Sequence, residues 1–300
     1  MNLQKFTNSR FGVGLGLFLG RMMPTSLGYQ LSGLVAGRLA GNQSSPMVQA
    51  VRANQWVVRG EKSSPEELDN AVRAVFQHAG RCFVDLYHNL QNRDGLLKLV
   101  VDNPAAQRLI QISQAEKQGV FLAAPHLSNF DMVLLSLAYR GLHGQVLTYG
   151  QPTGGYKIQN DIRATTGLDI TPVSDTTHQK AIELMRNGGL VATAVDRPIR
   201  RKAHTLRFFG HPSPLPAGHI RMALEADVPV VVGAAHLRTD GRYELLLSDL
   251  IPMQRHDDPA EEIRINGEAV LKVIEGFIRQ APEQWLMYYP AWPDIIANGE

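Results

Sequence analysis

From about residue 118 onward, short runs rich in β-branched and aromatic residues alternate with stretches of helical period, and this alternation constrains the fold most. The runs are VFLAA at 120–124, QVLTYG at 145–150, LDITPV at 168–173 and LVATAV at 190–195. TLRFF at 205–209, VPVVVGAAHL at 228–237 and YELLLSDLI at 243–251 follow. Between them the spacing predicts helices at 129–140, 155–166, 176–188 and 217–226, and a long one at 259–280. Strands that are apolar along their whole length are buried on both faces. The pattern therefore predicts an α/β fold: a mixed, mainly parallel central sheet flanked by helices, its later strands antiparallel.

Residues 44–114 read as helical. The segment SSPEELDNAVRAVFQHAGRCFVDLYHNL places Ser64 and Pro65 in cap and first-turn positions. Leu68, Val72, Val75, Phe76, Ala79, Phe83 and Leu86 then recur at helical spacing. Nothing there demands chemistry, and the segment reads as scaffold. Ahead of it, Lys5 and Arg10 precede the apolar stretch 11–20, and LGYQLSGLVAGRLAG at 27–41 is interrupted by Gln30, Ser32 and Arg38. Each is shorter than the roughly 20 apolar residues of a spanning helix. Short apolar segments edged by Arg and Lys suit helices lying in a membrane interface, with a pair of core helices as the alternative. The organisation expected is a helical, membrane-associating portion at 1–43 and one domain at 44–300, helical over 44–117 and α/β over 118–300.

The formal charge of +2 is too small to argue for a nucleic-acid partner, and none is expected. The single cysteine, Cys82, excludes an intrachain disulfide and Cys-type zinc spacing, and fits a reducing compartment. It falls in the scaffold segment and reads as core. The chain has no G-x-S-x-G elbow, no P-loop lysine, no G-x-G-x-x-G after a strand and no H-E-x-x-H, so no metal site is expected. His178, His204, His211, His219 and His236 are scattered and read mostly as surface or loop residues.

Two places hold candidate chemistry. In VFLAAPHLSNFDMV, Pro125 ends a buried strand and leaves His126 at its C-terminal end, where open α/β sheets place ligands. Asp131 follows five residues later. One reading has Ser128 cap the next helix, with Asp131 in a capping-box position. The other has Asp131 bond one imidazole nitrogen so that the other accepts a proton. Spacing leaves both open. The second place is DRPIRRKAHTLRFFGH at 196–211, where Asp196 at a strand end leads into Arg197, Arg200, Arg201, Lys202 and Arg207. Such a loop suits phosphates or an acidic partner protein, and Arg163 in NDIRATTG is a further anion contact.

Together these residues resemble the lysophospholipid acyltransferase superfamily, in which His126 and Asp131 form the H-x-x-x-x-D motif. The wider order is similar to its bacterial lipid A late-acyltransferase branch, including the phosphatidylinositol mannoside acyltransferases. VRANQWVV at 51–58, GGLVATAVDRP at 188–198, LRFFGHPSPLPAG at 206–218, ADVPVVVGAAHLRTDGRY and PEQWLMYYPAWPD at 282–294 carry the likeness. It implies a membrane-associated O-acyltransferase moving an acyl chain from an acyl carrier protein or coenzyme A thioester to a glycolipid or lysophospholipid hydroxyl. His126 would be the general base and Asp131 would orient it, with no cofactor beyond the thioester co-substrate. Ser128, Asn129, Arg163, Asp196, Arg197, Phe209 and Gly210 would contact substrate, and backbone N–H groups after Ser128 would receive the oxyanion. The implied location is the cytoplasmic face of the inner membrane. His211 stands where the glycerolipid branch has an acid, and AVDRP and LPAG lean towards the mannoside enzymes. A non-catalytic lipid- or carrier-binding homologue and an acyl-thioester hydrolase are the competing readings.

Overall fold

The computed structural model describes residues 22–115, 118–152, 154–199 and 204–297. The apolar stretch 11–20 with Lys5 and Arg10, and Arg200, Arg201 and Lys202 of the basic run, lie outside the described residues. Helices come first: α1 (Thr25–Ala40), α2 (Pro46–Val58), α3 (Pro65–Asn89), α4 (Arg93–Leu99) and α5 (Pro104–Gln114). Alternation follows, with β1 (Val120–Ala124), α6 (Phe130–Tyr139), β2 (Gln145–Thr148), α7 (Gly155–Ala164), β3 (Asp169–Pro172), α8 (Asp175–Arg186) and β4 (Leu190–Ala194). Then come β5 (His204–Phe208), β6 (His211–Leu215), α9 (Gly218–Ala226), β7 (Val230–Leu237), β8 (Tyr243–Leu247), α10 (Pro259–Gln280) and the short α11 (Pro293–Ala297).

The main sheet has the order β3-β2-β4-β1-β7-β8, parallel throughout except for the antiparallel pair β7–β8. This is the mixed, mainly parallel sheet that the alternation predicts. Its two faces can be read from β1, where Phe121 and Ala123 enter one buried cluster and Val120 and Leu122 the other. Ile220 and Met222 of α9 and Val270 and Ile274 of α10 fill the first cluster. Leu109 of α5 and Met132, Val133 and Leu137 of α6 fill the second.

β5 and β6 form a separate antiparallel hairpin. The sequence reading finds β5 but not β6, because HPSPL carries Pro212 and Pro214. A two-stranded hairpin tolerates prolines that the interior of a sheet would reject.

α3 begins as expected, with a reciprocal capping box between Ser64 and Glu67 and Pro65 in the first turn. Leu68, Val72, Val75 and Phe76 are buried, but Phe83 is exposed and rests against the Tyr87 ring instead. The helix crosses the C-terminal edge of the sheet, where Arg81 Nη2 donates to Gly241 O in the β7–β8 turn at 3.0 Å. α1 lies on the outer side of α3. It approaches closely at Gly28, where a Cβ would meet Val84 Cγ1 at 2.9 Å. Tyr29 Oη of α1 also donates to the buried Asp85 of α3, which accepts Tyr243 Oη at 2.6 Å. This leaves Leu27, Leu31, Leu34 and Val35 exposed at i, i+4, i+7 and i+8, a single apolar stripe. Among the described residues, no helix is long and apolar enough to cross a membrane.

Candidate active site

Neighbouring parallel strands in register bring together the residues that follow them. Ala124 of β1 lies opposite Ala194 of β4, and Val195 N extends the ladder by donating to Ala124 O at 3.0 Å. Two residues beyond each alanine stand His126 and Asp196. The imidazole Nδ1 lies 2.6 Å from Asp196 Oδ1, and His126 N donates to Oδ2 at 2.8 Å. Trp285 Nε1 donates to the same Oδ2 at 2.8 Å. Asp196 is fully buried at 0% exposure, while the His126 side chain keeps 26%. The Phe130 ring stands edge-on to the imidazole, 5.4 Å away.

These contacts set the protonation states. Burial disfavours a charged imidazole, but the Asp196 carboxylate outweighs it and raises the His126 pKa above its ordinary value. Burial would likewise raise the Asp196 pKa. The His126 charge and the hydrogen bonds from His126 and Trp285 instead hold it below the usual carboxylate range. Asp196 is therefore an anion that keeps the proton on Nδ1 and leaves Nε2 as the basic nitrogen.

The loop after β1 is tied down residue by residue. Leu286 N donates to His126 O at 2.9 Å, and Ser128 N donates to Gln284 O at 2.7 Å, a short antiparallel bridge centred on Leu127 and Trp285. The Gln284 side chain is itself fixed to Leu237, accepting from its N–H at 2.7 Å and donating to its carbonyl at 2.9 Å. Asn54 of α2 holds the chain further along, donating to Met287 O and Tyr289 O and accepting from Ala291 N. Gln55 Nε2 donates to Pro282 O at 2.7 Å. VRANQWVV and PEQWLMYYPAWPD thus form one clamp around the His126 loop.

Several expected site residues have other duties. Asp131 does not hold the ring: its Oδ1 accepts from Arg163 Nε and Nη2, both at 2.8 Å, and Asp196 takes the orienting place. Asp196 is itself buried, with both its oxygens already bonded to protein donors. Arg163 serves Asp131 and Asn160 Oδ1, so its nearest anion is the protein's own. Ser128 does not cap α6. The N-cap position falls on Asn129, whose side chain turns away to donate to Cys82 O at 3.0 Å and is buried. With no side chain capping α6, its first-turn N–H groups lack intrahelical partners.

Phe209 and Gly210 are the two turn residues of the β5–β6 hairpin, with φ of 52° and 84°, as a type I′ turn requires. Phe209 N donates to the buried Glu275 at 2.6 Å. The neighbouring Phe208 ring sits 5.8 Å from Trp285 and 5.5 Å from Trp292, so the FFG segment supports the tryptophan that holds Asp196. Arg197 is exposed, with its guanidinium 4.1 Å from the Tyr289 ring centroid. His219, expected near the surface, is buried.

Beside the end of β4, a cavity of about 330 Å³ is lined mainly by apolar side chains, among them Leu147, Val195, Ile199 and Met222. Among the described residues, no group of three or more His, Cys, Asp or Glu side chains gathers to hold a metal ion. Trp285 and Gln284 are supports that the sequence reading quotes without a role. A tryptophan buried beside a strand end must find an acceptor for its N–H, which is the one local signal it carries.

The chain matches the family model described as bacterial lipid A biosynthesis acyltransferase over residues 4–293. It is 27% identical over 180 residues to a phosphatidylinositol mannoside acyltransferase of Mycobacterium tuberculosis (strain ATCC 25618 / H37Rv). That stretch is 58% of this chain and 54% of the relative, about half of the relative's length. A protein of the same name from Mycolicibacterium smegmatis is 22% identical over 287 residues, covering 94% of this chain and 90% of the relative.

Proposed function

This chain belongs to the bacterial lipid A biosynthesis acyltransferase family, and from that premise we propose that it transfers an acyl chain from an acyl thioester to a glycolipid hydroxyl. The observation that carries this reading is the His126–Asp196 pair at the C-terminal ends of two adjacent parallel strands. A hydroxyl attacks a thioester poorly unless its proton is removed as the new bond forms. Nε2 of His126 takes that proton as the hydroxyl oxygen adds to the thioester carbonyl carbon, a contribution of about 10²–10⁴ in rate. Asp196 stabilises the imidazolium. The uncapped N–H groups at the start of α6 receive the oxyanion. Collapse breaks the carbon–sulfur bond, and the proton passes from His126 to the departing thiolate.

The cavity beside β4 suits the acyl chain, because its lining is apolar and Val195 directly precedes Asp196. Arg197, exposed next to Asp196, suits a phosphate of the donor or acceptor. The names of both mannoside relatives favour an inositol-phospholipid mannoside as acceptor over a lipid A precursor. The donor is an acyl carrier protein or coenzyme A thioester. The apolar stripe of α1, stacked on the helix that crosses the active-site edge, supports peripheral attachment to the cytoplasmic face of the inner membrane.

The test is transfer from long-chain acyl-CoA or acyl carrier thioester to membrane glycolipid extract. His126→Ala is expected to lose about 10²–10⁴ of the rate. Equal rates in wild type and variant would sink the reading.

A further inference from the structure

Ser128 is a serine in a glycine's conformation. Its φ is 50°, a region that costs any residue bearing a Cβ, and it is buried at 1% exposure. Non-glycine residues persist there only where their surroundings over-determine them. Here the turn has a purpose, because it swings the chain from His126, at the end of β1, into the first turn of α6. Contacts from two segments of the chain hold Ser128 itself. One is the backbone bond to Gln284 O already described. The other comes from α3, where His78 Nε2 lies 3.0 Å from Ser128 Oγ and 3.3 Å from Cys82 Sγ, fifty residues away in sequence from the serine it touches. Cys82 O also accepts from Asn129, so two adjacent loop residues are pinned from one helix.

We propose that His78 is a positioning residue for acyl transfer: through Ser128 Oγ it keeps Ser128 in the left-handed conformation and so aims the α6 N–H groups at the developing oxyanion. The proposal rests on the reading of His126 as the base. The structure supplies the reason for a histidine at this place. His78 is buried, and burial lowers its pKa to about 4, so the ring stays neutral and its Nε2 is a hydrogen-bonding atom rather than a charge. An apolar side chain would leave the Ser128 hydroxyl buried with one partner fewer, and the loop would relax towards negative φ.

The experiment uses the full chain with long-chain acyl-CoA, or the acyl carrier thioester if the wild type turns over that donor instead, and membrane glycolipid extract. His78→Leu is expected to lower kcat about 100-fold, the penalty of a small misplacement, with the KM for the thioester near the wild-type value. His78→Gln, which retains a polar atom, recovers part of the loss. In the His78→Leu background, adding Ser128→Gly raises kcat about 5- to 10-fold, because glycine takes positive φ without help, whereas adding Ser128→Ala does not. Wild-type kcat in His78→Leu alongside an inactive His126→Ala overturns the proposal. So does rescue by alanine as good as by glycine, which would leave His78 a packing role only. Full activity in His126→Ala would remove the underlying reading instead. Thermal melts show which variants fold; if His78→Leu does not, the glycine–alanine contrast is read in His78→Gln.

Discussion

Asp196 commits both carboxylate oxygens to three donors, the backbone and ring of His126 and the indole of Trp285. An anion so placed cannot itself be the base for a substrate. Its effect is on His126, whose pKa it lifts against the pull of burial. Only neutral His126 takes a proton, so kcat is expected to rise with pH through an inflection above the ordinary histidine value of about 6.5. Asp196→Asn removes the charge that lifts the ring. The inflection then moves to lower pH, and kcat falls by about 10²–10⁴ because tautomer and imidazolium both lose support. A pH–rate profile of the two proteins checks this, and an unmoved inflection would count against Asp196 as the partner. Asp131, five residues from His126, was the candidate closer in sequence, but it sits on α6 where Arg163 of α7 neutralises it.

α1 and the β5–β6 hairpin behave differently from the strands of the main sheet. The inner side of α1 meets α3 through Gly28 and Ala36, but Leu34 keeps 72% of its surface exposed, and its stripe has no partner among the described residues. An apolar stripe of this kind gains only by burial, at about 1.5–3 kcal/mol for each large side chain. Replacing Leu31 and Leu34 together by Asp is therefore expected to weaken binding to anionic lipid vesicles by at least about tenfold, with an unchanged melting temperature because neither residue is in the core. Co-sedimentation reads the first effect and calorimetry the second; undiminished vesicle binding would remove α1 from the membrane contact. The helical period of the segment was readable from its residues. Which side faces protein was not, since leucine is equally at home against α3 or in lipid. The hairpin shows the opposite failure: two prolines hid β6, although Phe209–Gly210 is a turn whose positive φ values put a glycine where one is needed.

Among the described residues, two histidines outside the catalytic pair are buried, His78 and His219, and burial holds both near a pKa of about 4. The unfolded chain takes up these protons at about 6.5, so between about 4 and 6.5 it binds more protons than the fold does. Stability is therefore fully present above about 6.5 and is lost as pH falls towards 4, by up to about 3 kcal/mol for each histidine. Asp196, whose folded pKa is depressed, loses its contribution only below the carboxylate range, and His126, whose pKa is raised, changes in the opposite sense. Urea unfolding at pH 7 and pH 5 is expected to show the drop, and His219→Gln to flatten it. Equal stability at both pH values would show that these rings are not kept neutral by the fold.

Strand, helix and sheet class were legible in the chain because burial is decided locally. VFLAA and LVATAV are apolar on both faces whatever lies beside them, and a strand end followed by a proline and a histidine is a strand end in any arrangement. The identity of the carboxylate beside His126 was a tertiary matter. Asp131 is five residues away and Asp196 is 70, yet β4 lies next to β1 in register, so the distant residue meets the ring. The clamp from Asn54, Gln55, Gln284 and Trp285 was hidden for the same reason. Each is an ordinary polar or aromatic residue until the fold places its one hydrogen-bonding edge against a particular backbone atom or carboxylate. Local burial follows from residue type, whereas pairing across the molecule follows from the order in which strands are laid side by side.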